Sequence, residues 1–107
     1  MKDDILQLTL LCDFYGGLLT EKQRSFFEMY HFNDLSLSEI GDEQNISPQA
    51  VRDLLKRTEN KLIKYEEQLG LVGKRAALLK KITAAENLAD GALKEMLAEI
   101  KKDIEVI

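Results

Sequence analysis

The stretch SLSEIGDEQNISPQAVRDLLKR, residues 36–57, contains two helix starts eleven residues apart. Ser36 is followed three positions later by Glu39, the spacing of a capping box, in which each side chain satisfies a free backbone N–H of the other. Ser47-Pro48 is the sharper start. Serine suits the N-cap, and proline suits the first helical position, where no N–H is needed. Between the starts, Ile40, Val51 and Leu54 are spaced to fill the angle between two crossed helices. Gly41 is small where such helices approach most closely. Asn45 stands where the turn needs a left-handed backbone, and Ile46 plugs that turn. Gln44 departs from the pattern, since an apolar residue is usual just before the turn. The segment reads as a helix-turn-helix.

Outward from Pro48 nothing breaks the second helix until about Gln68, a length of roughly 30 Å. Its apolar positions Val51, Leu55, Thr58, Leu62, Tyr65 and Leu69 alternate spacings of four and three, a heptad-like seam on one side. Gln49, Asp53, Lys56, Arg57, Asn60 and Lys64 point away from the seam, with Arg52 on its flank. Gly70 closes the helix.

Upstream, Ile5, Leu8, Cys12, Tyr15 and Leu19 recur at helical spacing, predicting a first helix over residues 3–18. Leu6, Leu10, Phe14 and Leu18 make other faces of it apolar too, which predicts a helix sandwiched between neighbours. Thr20 and Gln23 have capping-box spacing and start a second helix at Glu21, with Phe26, Phe27 and Tyr30 expected inward and a loop at Asn33-Asp34. Downstream, a helix from about Val72 carries Leu78, Leu79, Ile82, Ala85 and Ala89. Asp90-Gly91 interrupts it, and a last helix runs through Leu93, Leu97, Ile100, Ile104 and Ile107. The expected architecture is all-α. A helical domain at 1–70 holds the helix-turn-helix, and residues 71–107 form a C-terminal helical extension for packing or dimerisation.

Composition agrees: Ala, Leu, Glu and Lys dominate, with one proline and six glycines in 107 residues. Cys12 is the only cysteine, so no internal disulfide or cysteine-based zinc site is expected, and its apolar surroundings read as a buried structural thiol. The start MKDDILQ has no export signal, and no apolar run approaches the roughly 20 residues that span a bilayer. A cytoplasmic protein without membrane insertion is expected. His31 is the one histidine and reads as surface or packing. Asp3-Asp4 and Glu66-Glu67 read as solvated helix surface. No metal-ligand cluster or glycine-rich phosphate loop is visible, so enzyme, metal and cofactor chemistry are not expected.

The net charge of −4 conceals an uneven distribution. Residues 48–64 carry Arg52, Lys56, Arg57, Lys61 and Lys64 against Asp53 and Glu59, while the segments on either side are net negative. One basic helix on an acidic body argues for a confined docking surface rather than general polyanion binding. In a groove-reading helix the first turns meet base edges, here Ser47, Gln49, Arg52, Asp53 and Lys56. Gln49 suits adenine, and Arg52 or Lys56 suits guanine. Arg57 and Lys61 suit phosphates. The same helix pair also fits a plain scaffold or a protein-docking module, and a basic stripe is an ordinary solvated face.

Residues 8–71 resemble the YlxM family of small bacterial proteins. The stretches DFY-x-x-LLT-x-KQR, LSLSEI, S-x-QAV and KRTE-x-x-L-x-x-YEE-x-L carry the likeness. That family is similar to the promoter-reading C-terminal region of sigma factors, within a winged-helix-like superfamily. The resemblance implies a DNA-binding regulator tied to the signal recognition particle pathway, beside whose components the family's genes lie. Pro48 departs from the basic residue common there, which weakens phosphate anchoring at the N-cap. The alternatives are a ribonucleoprotein accessory factor of the particle, using the basic helix on RNA, and a protein-interaction module. DNA is expected ahead of RNA as partner. A homodimer is also expected through the seam at Leu93 to Ile107, against the competing arrangement in which the C-terminal helices fold back over helix 1.

Overall fold

In the computed structural model, residues 2–107 are described, with side chains from Ile5 onward. The elements are α1 (Lys2–Tyr15), a 3-10 turn (Gly16–Leu18), α2 (Glu21–His31), α3 (Leu37–Gln44), α4 (Pro48–Leu69), α5 (Leu71–Leu88) and α6 (Gly91–Glu105). No strand occurs among the described residues. No helix among the described residues is long and apolar enough to cross a membrane. The chain divides into two units, one up to Leu69 and one at Gly70–Ile107.

In the first unit α4 is the spine, with α1, α2 and α3 all packed on it. The seam read from the sequence is the buried edge: Val51, Leu55, Thr58 and Leu62 are fully shielded. Among the described residues Thr58 is the one polar residue in that core, and its hydroxyl donates to the Leu54 carbonyl at 2.9 Å, so its burial leaves nothing unpaired. The seam fades toward the end of α4, where Leu69 is exposed. Phe26, Ile40, Val51 and Leu55 form one cluster, flanked by Met29, Leu35, Leu37, Ile46 and Leu54.

Four expectations need correction. α1 is not sandwiched: Leu11, Cys12 and Tyr15 are buried, but Ile5, Leu6, Leu10 and Leu18 are more than half exposed. Its packing against α2 and α4 uses one side of the helix. The α-helix also stops at Tyr15, and Gly16-Gly17 carries the chain into a 3-10 turn. Tyr30 does not point inward; it is 39% exposed, while Phe26 and Phe27 supply the buried face of α2. Glu66 is not plain solvated surface, because it accepts a hydrogen bond from Tyr15 at 2.6 Å. The side chains of Asp3 and Asp4 lie outside the described residues.

The second unit is a helical hairpin. α5 ends at Leu88, Ala89 and Asp90 are extended, and Gly91 takes φ +59°, so the chain breaks at Asp90-Gly91 as read. Arg75, near the start of α5, donates to the carbonyls of Ile104 (3.2 Å) and Glu105 (2.7 Å). The helices therefore run antiparallel, and the guanidinium occupies the open carbonyls at the end of α6. Lys101 pairs with Glu86 at 3.3 Å.

Candidate nucleic-acid interface

The turn between α3 and α4 is set by local chemistry. The Ser36 hydroxyl accepts from the Glu39 N–H and the Glu39 carboxylate accepts from the Ser36 N–H, both at 3.0 Å. Donation from the Ser36 N–H, and secondarily from the Ser36 hydroxyl, favours the charged form and holds the Glu39 carboxyl below its ordinary pKa. At the other end of α3, Asn45 adopts φ 59°, ψ 41°, the left-handed conformation expected there. That reversal lets the N–H groups of Asn45 and Ile46 both reach the Gly41 carbonyl. The backbone passes so close that a Cβ at Gly41 would sit 2.6 Å from the Ile46 carbonyl oxygen. Ser47 then caps α4, its hydroxyl accepting from the Ala50 N–H at 3.1 Å.

With the buried edge of α4 locked against Ile40 and Phe26, the opposite face is free for contact. Ser47, Gln49, Arg52, Asp53, Lys56 and Arg57 are all exposed. At 100° per residue Gln49, Asp53, Lys56 and Arg57 share the outward face. Within it the Gln49 amide donates to the Asp53 carboxylate at 3.0 Å, so the side chain best suited to adenine is held by its neighbour one turn on. Arg52 lies to one side. It lines a cleft of about 480 Å³ with Leu8, Tyr30, Leu37, Lys56 and Ile63.

Lys61 is separated from this group. It sits half-buried on the opposite flank of α4 from Arg52, donating to Gln23 at 3.4 Å and standing 5.9 Å over the Tyr65 ring. Gln23 and Glu59, legible in sequence only as a cap and a charge, stand near the site in surroundings the sequence did not flag. Gln23 is readable as a capping residue, but its hold on Lys61 spans 38 residues. Burial pushes the Glu59 carboxyl up, and the neighbouring Lys56 ammonium pulls it partly back.

The N-terminus of α4 offers a phosphate little. Pro48 has no N–H, that of Ala50 is taken by the Ser47 hydroxyl, and that of Val51 by the Ser47 carbonyl. The cations exposed on this face are side chains, chiefly Lys56 and Arg57. Glu39, Asp42 and Glu43 are exposed along α3 and confine the favourable potential to α4.

Residues 2–104 match the model of the family UPF0122, described as "Putative helix-turn-helix protein, YlxM / p13 like". Relatives carrying the same family name are similar along much of their length. One from Caldanaerobacter subterraneus is 58% identical over 82 residues, covering 77% of this chain and 70% of the relative. One from Thermoanaerobacter sp. is 48% identical over 107 residues, covering all of this chain and 79% of the relative. One from Bacillus cereus is 40% identical over 108 aligned positions, covering 95% and 98%. A helical chain with this turn, matched over residues 2–104 by the family's model, belongs to the UPF0122 family of YlxM / p13-like helix-turn-helix proteins.

Proposed function

We propose that this protein is a cytoplasmic DNA-binding regulator that sets the first turns of α4 into a major groove. The observation that supports the reading is the pairing of a rigid turn with an outward polar face. Gly41, Asn45 and Ile46 fix the angle of α4, and Gln49, Lys56 and Arg57 stand exposed on it, with Arg52 at the edge. In this reading Gln49 and Arg52 read bases, Asp53 orients Gln49, Ser47 caps the helix at the contact surface, and Lys56 and Arg57 meet base edge or phosphate. Lys61 contributes long-range charge. The link to the signal recognition particle pathway, and the likeness to the promoter-reading region of sigma factors, are carried by the resemblance of sequence alone. The protein acts as a homodimer, as two half-sites one DNA turn apart require.

A second reading draws on the acidic face of α3 beside the basic helix. Such a mixed surface suits a ribonucleoprotein or protein partner of the particle, whose RNA would be held by shape and phosphate. Competition titrations at two salt concentrations separate the two. On DNA, Gln49→Ala or Arg52→Ala costs roughly 1–3 kcal/mol on one preferred sequence and little on others, while Arg57→Ala weakens all targets and lowers the salt slope by about 1. On RNA, all basic substitutions act alike and structured RNA outcompetes duplex DNA. Absence of binding to either polymer at low salt leaves the protein-docking reading.

A further inference from the structure

The hairpin of α5 and α6 is the least covered part of the chain. Neither helix has a single buried residue. Units of fewer than about 40 residues rarely hold a fold without a disulfide, a metal or a partner chain, and Gly70–Ile107 is a unit of that size. Its inner contact uses Val72, Leu79 and Ile82 of α5 and Leu97 and Ile104 of α6, all only half-buried.

A second apolar set stays exposed. On α5 it comprises Leu71 and Leu78, one heptad apart; on α6 it comprises Leu93, Met96 and Ile100, with Leu93 and Ile100 again one heptad apart. At 100° per residue, both sets are rotated in the same sense from the residues that face the other helix. In antiparallel helices that rotation brings both stripes to one side of the hairpin. A double stripe at heptad spacing is the surface that two-helix units use to complete a four-helix bundle.

Charge selects the occupant. α5 carries Lys74, Arg75, Lys80 and Lys81 against Glu86, and α6 carries Glu95, Glu99, Asp103 and Glu105 against Lys94, Lys101 and Lys102. The hairpin thus presents a basic helix, net +3, beside a weakly acidic one, net −1, a difference complementary to a second copy of itself turned by a two-fold axis. We infer that the α5–α6 hairpin is the dimer interface, joining a second hairpin in an antiparallel four-helix bundle in which α5 of each copy packs on α6 of the other. Like-charged helices then fall on the diagonals. With α5 seated on α6 of the other copy, the two-fold axis runs along the bundle, which keeps every neighbouring pair antiparallel and brings both copies of Gly70 to one end. This inference rests on the dimeric reading above and names its surface.

The test is sedimentation equilibrium of the full chain, with a distance measurement. Wild type sediments as a dimer, and Ile100→Asp raises the dimer Kd by roughly 100-fold or more by placing two carboxylates in the bundle. Leu6→Asp, a control on exposed α1, stays dimeric. Leu93→Asp repeats the test at a more exposed position that a monomer tolerates. Spin labels at Leu88→Cys in a Cys12→Ala background, at the tip of the hairpin, lie within about 20 Å of each other across the dimer. A wild-type monomer at high micromolar concentration overturns the inference, as does a dimer that survives both aspartates. Labels separated by about the 27 Å length of α5 or more overturn the bundle axis. DNA titration is a separate readout: a monomer that still binds DNA sinks the bundle and leaves the groove reading standing.

Discussion

The phenolic hydroxyl of Tyr15 donates to the Glu66 carboxylate at 2.6 Å, linking the end of α1 to the last turn of α4 across 51 residues. The ring itself is buried, with Phe14 at 5.2 Å and Tyr65 at 5.9 Å between centroids. Tyr15→Phe keeps the rings and removes the hydroxyl. The expected cost is about 1–2 kcal/mol, the range for a hydrogen bond to a partly solvated charge. Urea denaturation checks it; a change below a few tenths of a kcal/mol would show that water replaces the bond without loss.

Val51 and Gln49 are two residues apart and have opposite fates. Val51 is fully buried in the cluster with Phe26, Ile40 and Leu55, so Val51→Asp places an unpaired carboxylate there and unfolds the helix-turn-helix. Gln49 is exposed and bonded only one turn along its own helix, so Gln49→Ala changes stability by about 0.5 kcal/mol or less. Thermal melts decide it, and equal melting temperatures would contradict this orientation of α4.

Gly41 sits inside α3, where alanine would ordinarily stabilise by about 0.5–1 kcal/mol. Here the added methyl meets the Ile46 carbonyl oxygen at 2.6 Å, with Ser47 and Pro48 backbone atoms at 3.4 Å. Gly41→Ala is therefore destabilising, by about 1–3 kcal/mol. Gly17→Ala, at a position open to solvent, is the comparison and should lie near zero. Denaturant midpoints of the two variants reveal the contrast.

The His31 side chain is 7% exposed, stacked on Phe27 at 4.3 Å, with Nε2 4.0 Å from the Glu59 carboxylate and beyond hydrogen-bond reach. Burial holds its pKa below the ordinary 6.5. As pH falls, the unfolded chain takes up this proton before the folded one. The stability contributed by neutral His31 is thus complete above pH 6.5 and is lost as pH falls through the lower folded value. Glu59 works in the opposite sense at lower pH. Its raised pKa favours the folded state below the ordinary 4.5, and that gain disappears as pH rises through the raised value. Asp34 and Tyr30 line the same pocket. His31→Phe should flatten the stability profile just below neutrality, read by urea midpoints at stepped pH; an unchanged profile assigns the slope to other groups.

What the sequence disclosed was whatever depends on neighbours a few positions away. Both capping boxes, the left-handed Asn45, the small Gly41 and the break at Asp90-Gly91 follow from local hydrogen bonding and backbone sterics, and all are observed. The buried edge of α4 was readable because its 4-3-4 spacing needs no knowledge of the partner. Contacts that depend on distant residues were not readable. Tyr30 and Leu10 have the hydrophobicity of core residues, yet three helices on one spine leave them outside. Glu66 gives no local sign that Tyr15 will reach it, and Lys61 gives none of its tie to Gln23. In the candidate site, the outward face of α4 was legible, and the side chains that restrain one another on it were not.

The closeness of Gly41 to the chain at Ile46 has a consequence for how this fold can change over successive substitutions. Ile40, Val51 and Leu55 meet one another through side chains, so a larger residue at one position can be offset by a smaller one at the next. At position 41 the obstacle is a peptide carbonyl, which every amino acid carries. No second-site change of residue type removes it. Only displacement of the backbone would, and that displacement re-aims α4. Drift in the core is therefore reversible by neighbours, whereas drift at this glycine is a change of geometry at the start of α4.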